Sequence, residues 1–252
     1  MSSGFGNIDL VEILFTLFWV FFIGLVYYLQ REMKREGYPL VSDRSDHVTV
    51  QGFPAIPSPK TYHTEDGRVV QAPRDEAPDT DFNAKPATGH FGAPLDPTGD
   101  PLTARFGPGA WANRPEVVEK TLEGAPRIVP LRVADGFHVD EKDIDPRGMT
   151  VVGADDVSVG EVSDIWIDLA EPMIYFLEVS TGSGSKMVPF GFADIDKEGN
   201  KIRVDALYAN QFANVPTLAS PDQITMLEED KLMGYFGGGL LFADKKRAEP
   251  LF

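Results

Sequence analysis

The run from Ile13 to Leu29 constrains this chain more than any other stretch. It holds no charged residue, and its polar groups are one threonine hydroxyl, one indole N–H and two phenols. A bilayer core about 30 Å thick takes roughly 20 apolar residues in a helix. Counted from Leu10 to Gln30 the segment is long enough, with Glu12 the one charge inside it. Its apolar residues occupy every face, unlike a helix buried along one stripe of a core. A cleaved signal peptide would need a basic start and a small-residue cleavage site. Here Asp9 and Glu12 precede the run, and Gln30 to Arg35 follow it without such a pattern. The run therefore predicts one membrane-spanning helix.

The flanks predict its direction. Arg31, Lys34 and Arg35 lie just after the run and nothing basic lies before it. The positive-inside rule then places the N-terminus outside and the long remainder in the cytoplasm. Tyr27 and Tyr28 fall where an interfacial aromatic belt is expected. Trp19 falls mid-span, where it predicts packing on a neighbouring helix. The basic collar predicts contact with anionic head groups.

Beyond the helix, roughly 215 residues remain, enough for one or two domains with proper cores. The formal net charge of -16 excludes nucleic-acid binding through a basic surface. The absence of cysteine excludes disulfides, thiolate metal sites and a thiol nucleophile. His47, His63, His90 and His138 are far apart, with no helical pair, so scattered histidines are expected in place of a metal site. No nucleophile elbow, P-loop or dinucleotide fingerprint is present, and no enzyme is expected.

Three regions follow: an outer N-terminus and helix over 1–36, an extended Pro- and Gly-rich segment over 37–126, and a β-domain over 127–252. The middle segment has short extended pieces at Val48–Val50 and Arg68–Gln71. It carries Phe53, Tyr62, Phe82, Phe91, Phe106 and Trp111, too many aromatics for a solvated linker. It is expected to gain order from a partner and from the following domain. Strands are predicted at Ile128–Val133, with Pro130 marking an edge or bulge, and at Met149–Gly153, Ser158–Asp168, Met173–Ser180, Lys186–Phe190 and Lys201–Asp205. Turn signals at Gly182–Gly184 and Lys197–Asn200 separate them. Short strands at close spacing predict a small antiparallel barrel or sandwich. A helix over about 221–236 is expected from Ser220 as N-cap, Pro221 at the first helical position and Gln223 as capping-box partner. Gly237–Gly239 would end it. On it, Glu228, Glu229 and Asp230 read as a solvated acidic face.

One turn has possible chemistry. Asp168 and Glu171 lie between two apolar strands, where mutually repelling carboxylates can carry protons near neutral pH. From composition alone the commoner reading is an acidic surface turn.

The residues also resemble a known family. Phe18–Gln30, Arg35–Leu40, Pro97–Pro101, Gly107–Trp111, Gly136–Val139, Asp164–Asp168, Phe176–Val179 and Leu227–Lys231 resemble the H subunit of the purple-bacterial photosynthetic reaction centre, over nearly the whole chain. The resemblance implies a single transmembrane helix plus a mainly-β cytoplasmic domain, a small antiparallel PRC-type barrel with one C-terminal helix. It implies a non-catalytic subunit of the inner photosynthetic membrane that caps the cytoplasmic face of the L and M subunits. The expected roles are to shield the quinone sites and to assist proton transfer to the secondary quinone. Bacteriochlorophyll, bacteriopheophytin, quinones and non-haem iron would sit in L and M, with none bound directly by this chain. A light-harvesting antenna and a cytochrome subunit are further expected partners. The proton-transfer group would comprise Asp168, Glu171, Arg127 and Glu123, which reverses the composition-only reading of the turn. Partner contacts would include Trp19, Tyr27, Glu228 and Glu229; lipid contacts would include Arg31, Lys34, Arg35 and Tyr38. Two departures stand out. The family's histidines ahead of Arg127 are replaced by Glu123–Pro126, and a family arginine after Glu171 is Tyr175 here. The competing expectation is a membrane-anchored scaffold or adaptor with a PRC-type barrel and no proton-transfer role.

Overall fold

A computed structural model describes residues 10–41, 49–65, 67–74, 83–90, 93–196, 198 and 200–247. The readings on Asp9, His47, Val48, Phe82, Phe91, Lys197 and Gly199 lie outside these residues. The chain divides into two compact units, one comprising residues 1–79 and 89–93, the other 80–88 and 94–252.

The first unit is dominated by helix α1, Leu10–Glu32. None of its residues is buried in this chain, and it is apolar and long enough to cross a membrane. Thr16 donates its hydroxyl to the Glu12 carbonyl at 2.8 Å, so the one mid-helix hydroxyl is satisfied internally, as a lipid-facing segment requires. Trp19 packs among Phe15, Phe18 and Phe22, with ring centroids 6.1, 5.7 and 5.8 Å away. Phe15 and Phe22 meet Trp19 because residues three and four apart share a helix face, and Phe18 is its neighbour in the chain.

Past α1, a 3₁₀ turn covers Met33–Arg35. Lys34 is 5% exposed. Its ammonium donates to the carbonyls of Gln51 and Pro54 at 2.8 and 2.6 Å and lies over the Tyr38 ring. Arg35 pairs with Glu32 and donates to the carbonyls of Ser58 and Ala72. Two short antiparallel pairs follow: β1 (Leu40–Val41) with β2 (Thr49–Val50), and β3 (Lys60–His63) with β4 (Val69–Ala72). The stretch predicted as extended is thus folded locally into hairpins tied to the end of α1 by cations that donate to backbone carbonyls.

The second unit begins with β5 (Ala84–Pro86) paired to β6 (Leu95–Pro97). Its main sheet contains β7 (Ile128–Pro130), β8 (Thr150–Gly153), β9 (Ser158–Asp168), β10 (Met173–Thr181), β11 (Gly184–Pro189), β12 (Asp194–Asp196) and β13 (Lys201–Val204), in the order β11-β10-β9-β8-β13-β12, with β7 also on β9. The long strand β9 serves two partners along one edge: its first half pairs with β8 and its last three residues with β7. Pairing is antiparallel except between β8 and β13, which run parallel, a departure from the all-antiparallel expectation. Gly160 permits the bulged approach of β10, since a Cβ there would lie 2.0 Å from the Ser180 carbonyl oxygen.

The apolar–polar alternation of β9 holds only in its first half. From Asp164 to Asp168 every residue is buried, because Ile165 and Trp166 enter the main core while Ile167 joins a smaller cluster with Val129 and Ala134. The two aspartates are consequently buried and paired. Asp164 and Glu178 both hold Arg132, and Glu178 also accepts from the Trp166 indole at 3.0 Å.

Helix α2 spans Met226–Phe242, not 221–236. The cap is Thr225, whose hydroxyl accepts from the Glu228 N–H while the Glu228 carboxylate accepts from the Thr225 N–H at 2.8 Å. This reciprocal pair satisfies two helix-end donors. The Ser220–Gln223 signal instead forms a turn whose Pro221 carbonyl and Asp222 carboxylate accept from Arg132. The triple glycine lies inside α2. A Cβ at Gly237 would lie 2.7 Å from the Pro108 carbonyl oxygen, and one at Gly239 would lie 2.4 Å from that of Ala206. These glycines admit neighbouring backbone, which explains their place in a helix they would otherwise weaken. On the same helix, Leu232, Tyr235 and Phe236 complete the core.

Candidate functional site

The second unit holds two sets of bonded ionisable side chains, one at the β9–β10 turn and one reaching the first turn of α2, whose charges act on each other. The first starts at Asp168, the last residue of β9 and the register partner of Ile128. That pairing brings the preceding residue, Arg127, alongside. Arg127 is held on both sides of its backbone: its N–H donates to the Glu119 carbonyl and its carbonyl accepts from the Leu169 N–H, each at 2.8 Å.

Asp168 is 1% exposed. Its Oδ2 lies 2.8 Å from Arg127 Nε and 2.8 Å from Nη2. Its Oδ1 accepts from the N–H groups of Ala170 and Glu171 at 2.8 and 3.1 Å. Burial alone would push this carboxyl up. The Arg127 hydrogen bond and the two backbone donors outweigh it and hold the group below the usual carboxylate range. Arg127 is strengthened as a cation in turn, chiefly by its bond to Asp168, with burial opposing and Glu119 adding a second carboxylate at 3.1 Å. Asp168 and Arg127 form a pair that both shifts hold in its ionised state.

Glu171 enters the site through its backbone only. Its side chain is exposed, and among the described residues its carboxylate has no ion-pair partner. Glu123 is likewise exposed, on the turn closed by hydrogen bonds from Gly124 N–H to the Thr121 carbonyl and from Thr121 N–H to the Ala125 carbonyl. Of the four residues expected at a proton-transfer site, the fold brings Asp168 and Arg127 into contact, sets Glu171 beside them, and leaves Glu123 on a separate surface turn.

The second set lies on residues that the sequence pattern does not single out as a unit. Tyr175, on β10, donates its hydroxyl to Glu229 Oε1 at 2.7 Å. Burial first, and then the Glu229 carboxylate, push this phenol up to about 12. Glu229 is itself raised: burial is the largest cause, the Tyr175 hydrogen bond opposes it, and the charges of Glu119 and Asp230 reinforce it, with Arg114 acting against. Asp230 pairs with Arg114 at 3.0 Å and accepts from the Ala112 N–H. The acidic run expected to face solvent is therefore divided among a helix cap (Glu228), a tyrosine bond (Glu229) and a loop anchor (Asp230). No sequence motif marks Glu119. The signal for Glu229 was its place in an acidic run beginning at the third residue of a helix.

In the first unit, Tyr27, Tyr28, Arg31, Glu32, Arg35, Ser58, Pro59 and Lys60 line a cavity of about 320 Å³ at the end of α1. It includes two of the four residues expected to meet lipid, Arg31 and Arg35. Lys34 instead lies over the Tyr38 ring and donates to the 51–54 loop. Among the described residues no cluster of histidine and carboxylate side chains has the makings of a metal site.

Comparison with known families agrees with the resemblance read from the residues. A family model for the photosynthetic reaction centre H-chain N-terminal region matches residues 2–133, and a PRC-barrel domain model matches residues 138–211. The first match ends just after β7, and the second spans β8 to β13 and stops short of α2. With more than half of its length matched by the H-chain model, and with an apolar helix followed by a mainly-β body, the chain belongs to the photosynthetic reaction centre H-chain family.

Proposed function

We propose that this subunit of the reaction centre is anchored with its N-terminus periplasmic, covers the cytoplasmic face of L and M, shields the quinone sites and assists proton delivery to the secondary quinone. The redox groups belong to L and M in this reading, and the chain performs no bond chemistry of its own. Orientation is supported by the charge asymmetry of α1, basic only at its C-terminal end. The lipid role is supported by the cavity at the end of α1, where Arg31, Arg35 and Lys60 can meet a head group.

The observation that carries the proton role is the geometry of the β9–β10 turn. A buried, ionised Asp168 fixes the turn through the Glu171 N–H, and the Glu171 carboxylate stands exposed beside it. A relay needs a carboxylate free to gain and lose a proton, next to charges that do not move. Glu171 is the member that solvent reaches and Asp168–Arg127 the fixed one. The test is Glu171→Gln in the assembled reaction centre, followed by flash spectroscopy. The second, proton-coupled electron transfer to the quinone should slow while the first is unchanged; unaltered second-transfer kinetics would take Glu171 off the path. The fully satisfied Asp168–Arg127 pair favours a second reading, a scaffold whose carboxylates only tie strands together, and that reading predicts no kinetic change.

A further inference from the structure

We propose that Glu229, positioned by the Tyr175 hydroxyl, is a proton-holding group of this cluster, taking a proton from a neighbouring water and returning it to water when the quinone site draws protons. This rests on the proton-assisting role proposed above and adds a residue to it.

The argument begins with what distinguishes the carboxylates. Asp168 accepts from four N–H groups, two on each oxygen, so protonating either oxygen would displace two donors. Glu229 accepts one neutral hydroxyl, from Tyr175 at 2.7 Å. A protonated Glu229 keeps that bond, because a carboxylic acid still has an acceptor oxygen while its own O–H is free to donate to water. The site therefore accommodates both protonation states without rebuilding its hydrogen bonds. Glu229 is half-buried, within reach of solvent yet partly desolvated, which disfavours its charge.

The facing groups reinforce this. From β10 comes Tyr175, neutral below about 12. From the 112–120 segment come Glu119, which disfavours a second negative charge, and Arg114, which favours one. From α2 itself comes Asp230, also disfavouring it. Arg114 is 3.0 Å from Asp230, so its charge is largely matched there. The first turn of a helix ordinarily stabilises a carboxylate; at Glu229, burial and two neighbouring acids prevail. The charges of Arg127 and Asp168 also act on the phenol, so Tyr175 lies in the field of both Glu229 and the fixed pair.

The experiment uses the assembled reaction centre and light-induced infrared difference spectroscopy of protonated carboxyl groups, together with flash-induced proton uptake read by a pH dye. Glu229→Gln should remove a carboxyl band and slow proton uptake by roughly tenfold. Tyr175→Phe should keep the band but move its pH midpoint upward, since the variant loses a donor to the ionised form. If Glu229→Gln fails to assemble, Glu229→Asp and Tyr175→Phe carry the test through the same midpoint. A carboxyl band and uptake rate unchanged in Glu229→Gln overturn the proposal. If uptake then slows in Glu171→Gln, the proton-assisting reading stands without Glu229; if neither variant slows it, both fail.

Discussion

Both Nε and Nη2 of Arg127 lie 2.8 Å from one oxygen of Asp168, and the other oxygen of that carboxylate is filled by the backbone of its own turn. One residue at the end of a strand thus closes a second strand edge and a turn together. Removing half of such a buried pair leaves the other half short of its partner, which costs more than the pair contributes.

Asp168→Asn should therefore destabilise the chain by about 3 kcal/mol, within the range for breaking a buried ion pair. Arg127 is partly exposed and retains Glu119, which keeps the loss at the lower end. Because the folded Asp168 carboxyl lies below its unfolded value of about 3.9, its contribution is present above that pH and is lost as pH falls from there through the folded value. Denaturant unfolding of the purified chain in detergent should show a weaker acid-side decline in Asp168→Asn than in the native chain.

Glu229 has the opposite linkage. Its folded value is raised, so no penalty exists below the unfolded value of about 4.3, and stability falls as pH rises from there through the folded value. Glu229→Gln should remove that decline, leaving the variant relatively more stable at neutral pH than at pH 4. A parallel pair of stability–pH curves for variant and native chain would contradict the raised value.

Two candidate caps compete for the start of α2. Thr225→Ala should cost about 1 kcal/mol, the usual loss for a side-chain cap, because Thr225 and Glu228 satisfy each other's N–H groups. Ser220→Ala should stay within about 0.5 kcal/mol, as a surface substitution away from a helix end. Thermal melts of the two variants distinguish the cap in use.

Gly239→Ala would place a methyl 2.4 Å from the Ala206 carbonyl oxygen. Overpacking of this kind costs about 1–3 kcal/mol, and the gain in helix propensity recovers only part of it. Gly24→Ala, in α1, has nothing within 4 Å in this chain. Its effect should appear only on assembly of the complex, measured as the yield of reaction centre retaining this subunit.

Much of the fold is legible in the residues because its signals are local. The α1 span, the bounds of β9 and the strands at Met173, Lys201 and Thr150 follow from apolar runs, alternation and turn residues within a few positions. The short strands of the 37–126 segment were largely illegible. Lys60–His63 and Ala84–Pro86 are exposed or half-exposed, so no hydrophobic period marks them. The start of α2 was misplaced because Ser220-Pro221 and Thr225 both carry cap chemistry. The Ile224 anchor in the core and the Val118–Thr225 bridge favour the second. The glycine run reads as a stop because its reason lies far off in the chain, in contacts with Pro108, Gly109 and Ala206.

The sequence by itself determined that a span of membrane length heads the chain, that β-strands follow, that thiol chemistry is absent, and that Asp168 and Glu171 share a turn. Tertiary structure decided what those carboxylates can do. It drew Arg127 against Asp168 through strand register, left Glu171 in solvent, and carried Glu229 across to Tyr175, 54 positions away. A carboxylate's readiness to take a proton depends on burial and on the charges within a few ångströms, and only the folded chain sets those distances.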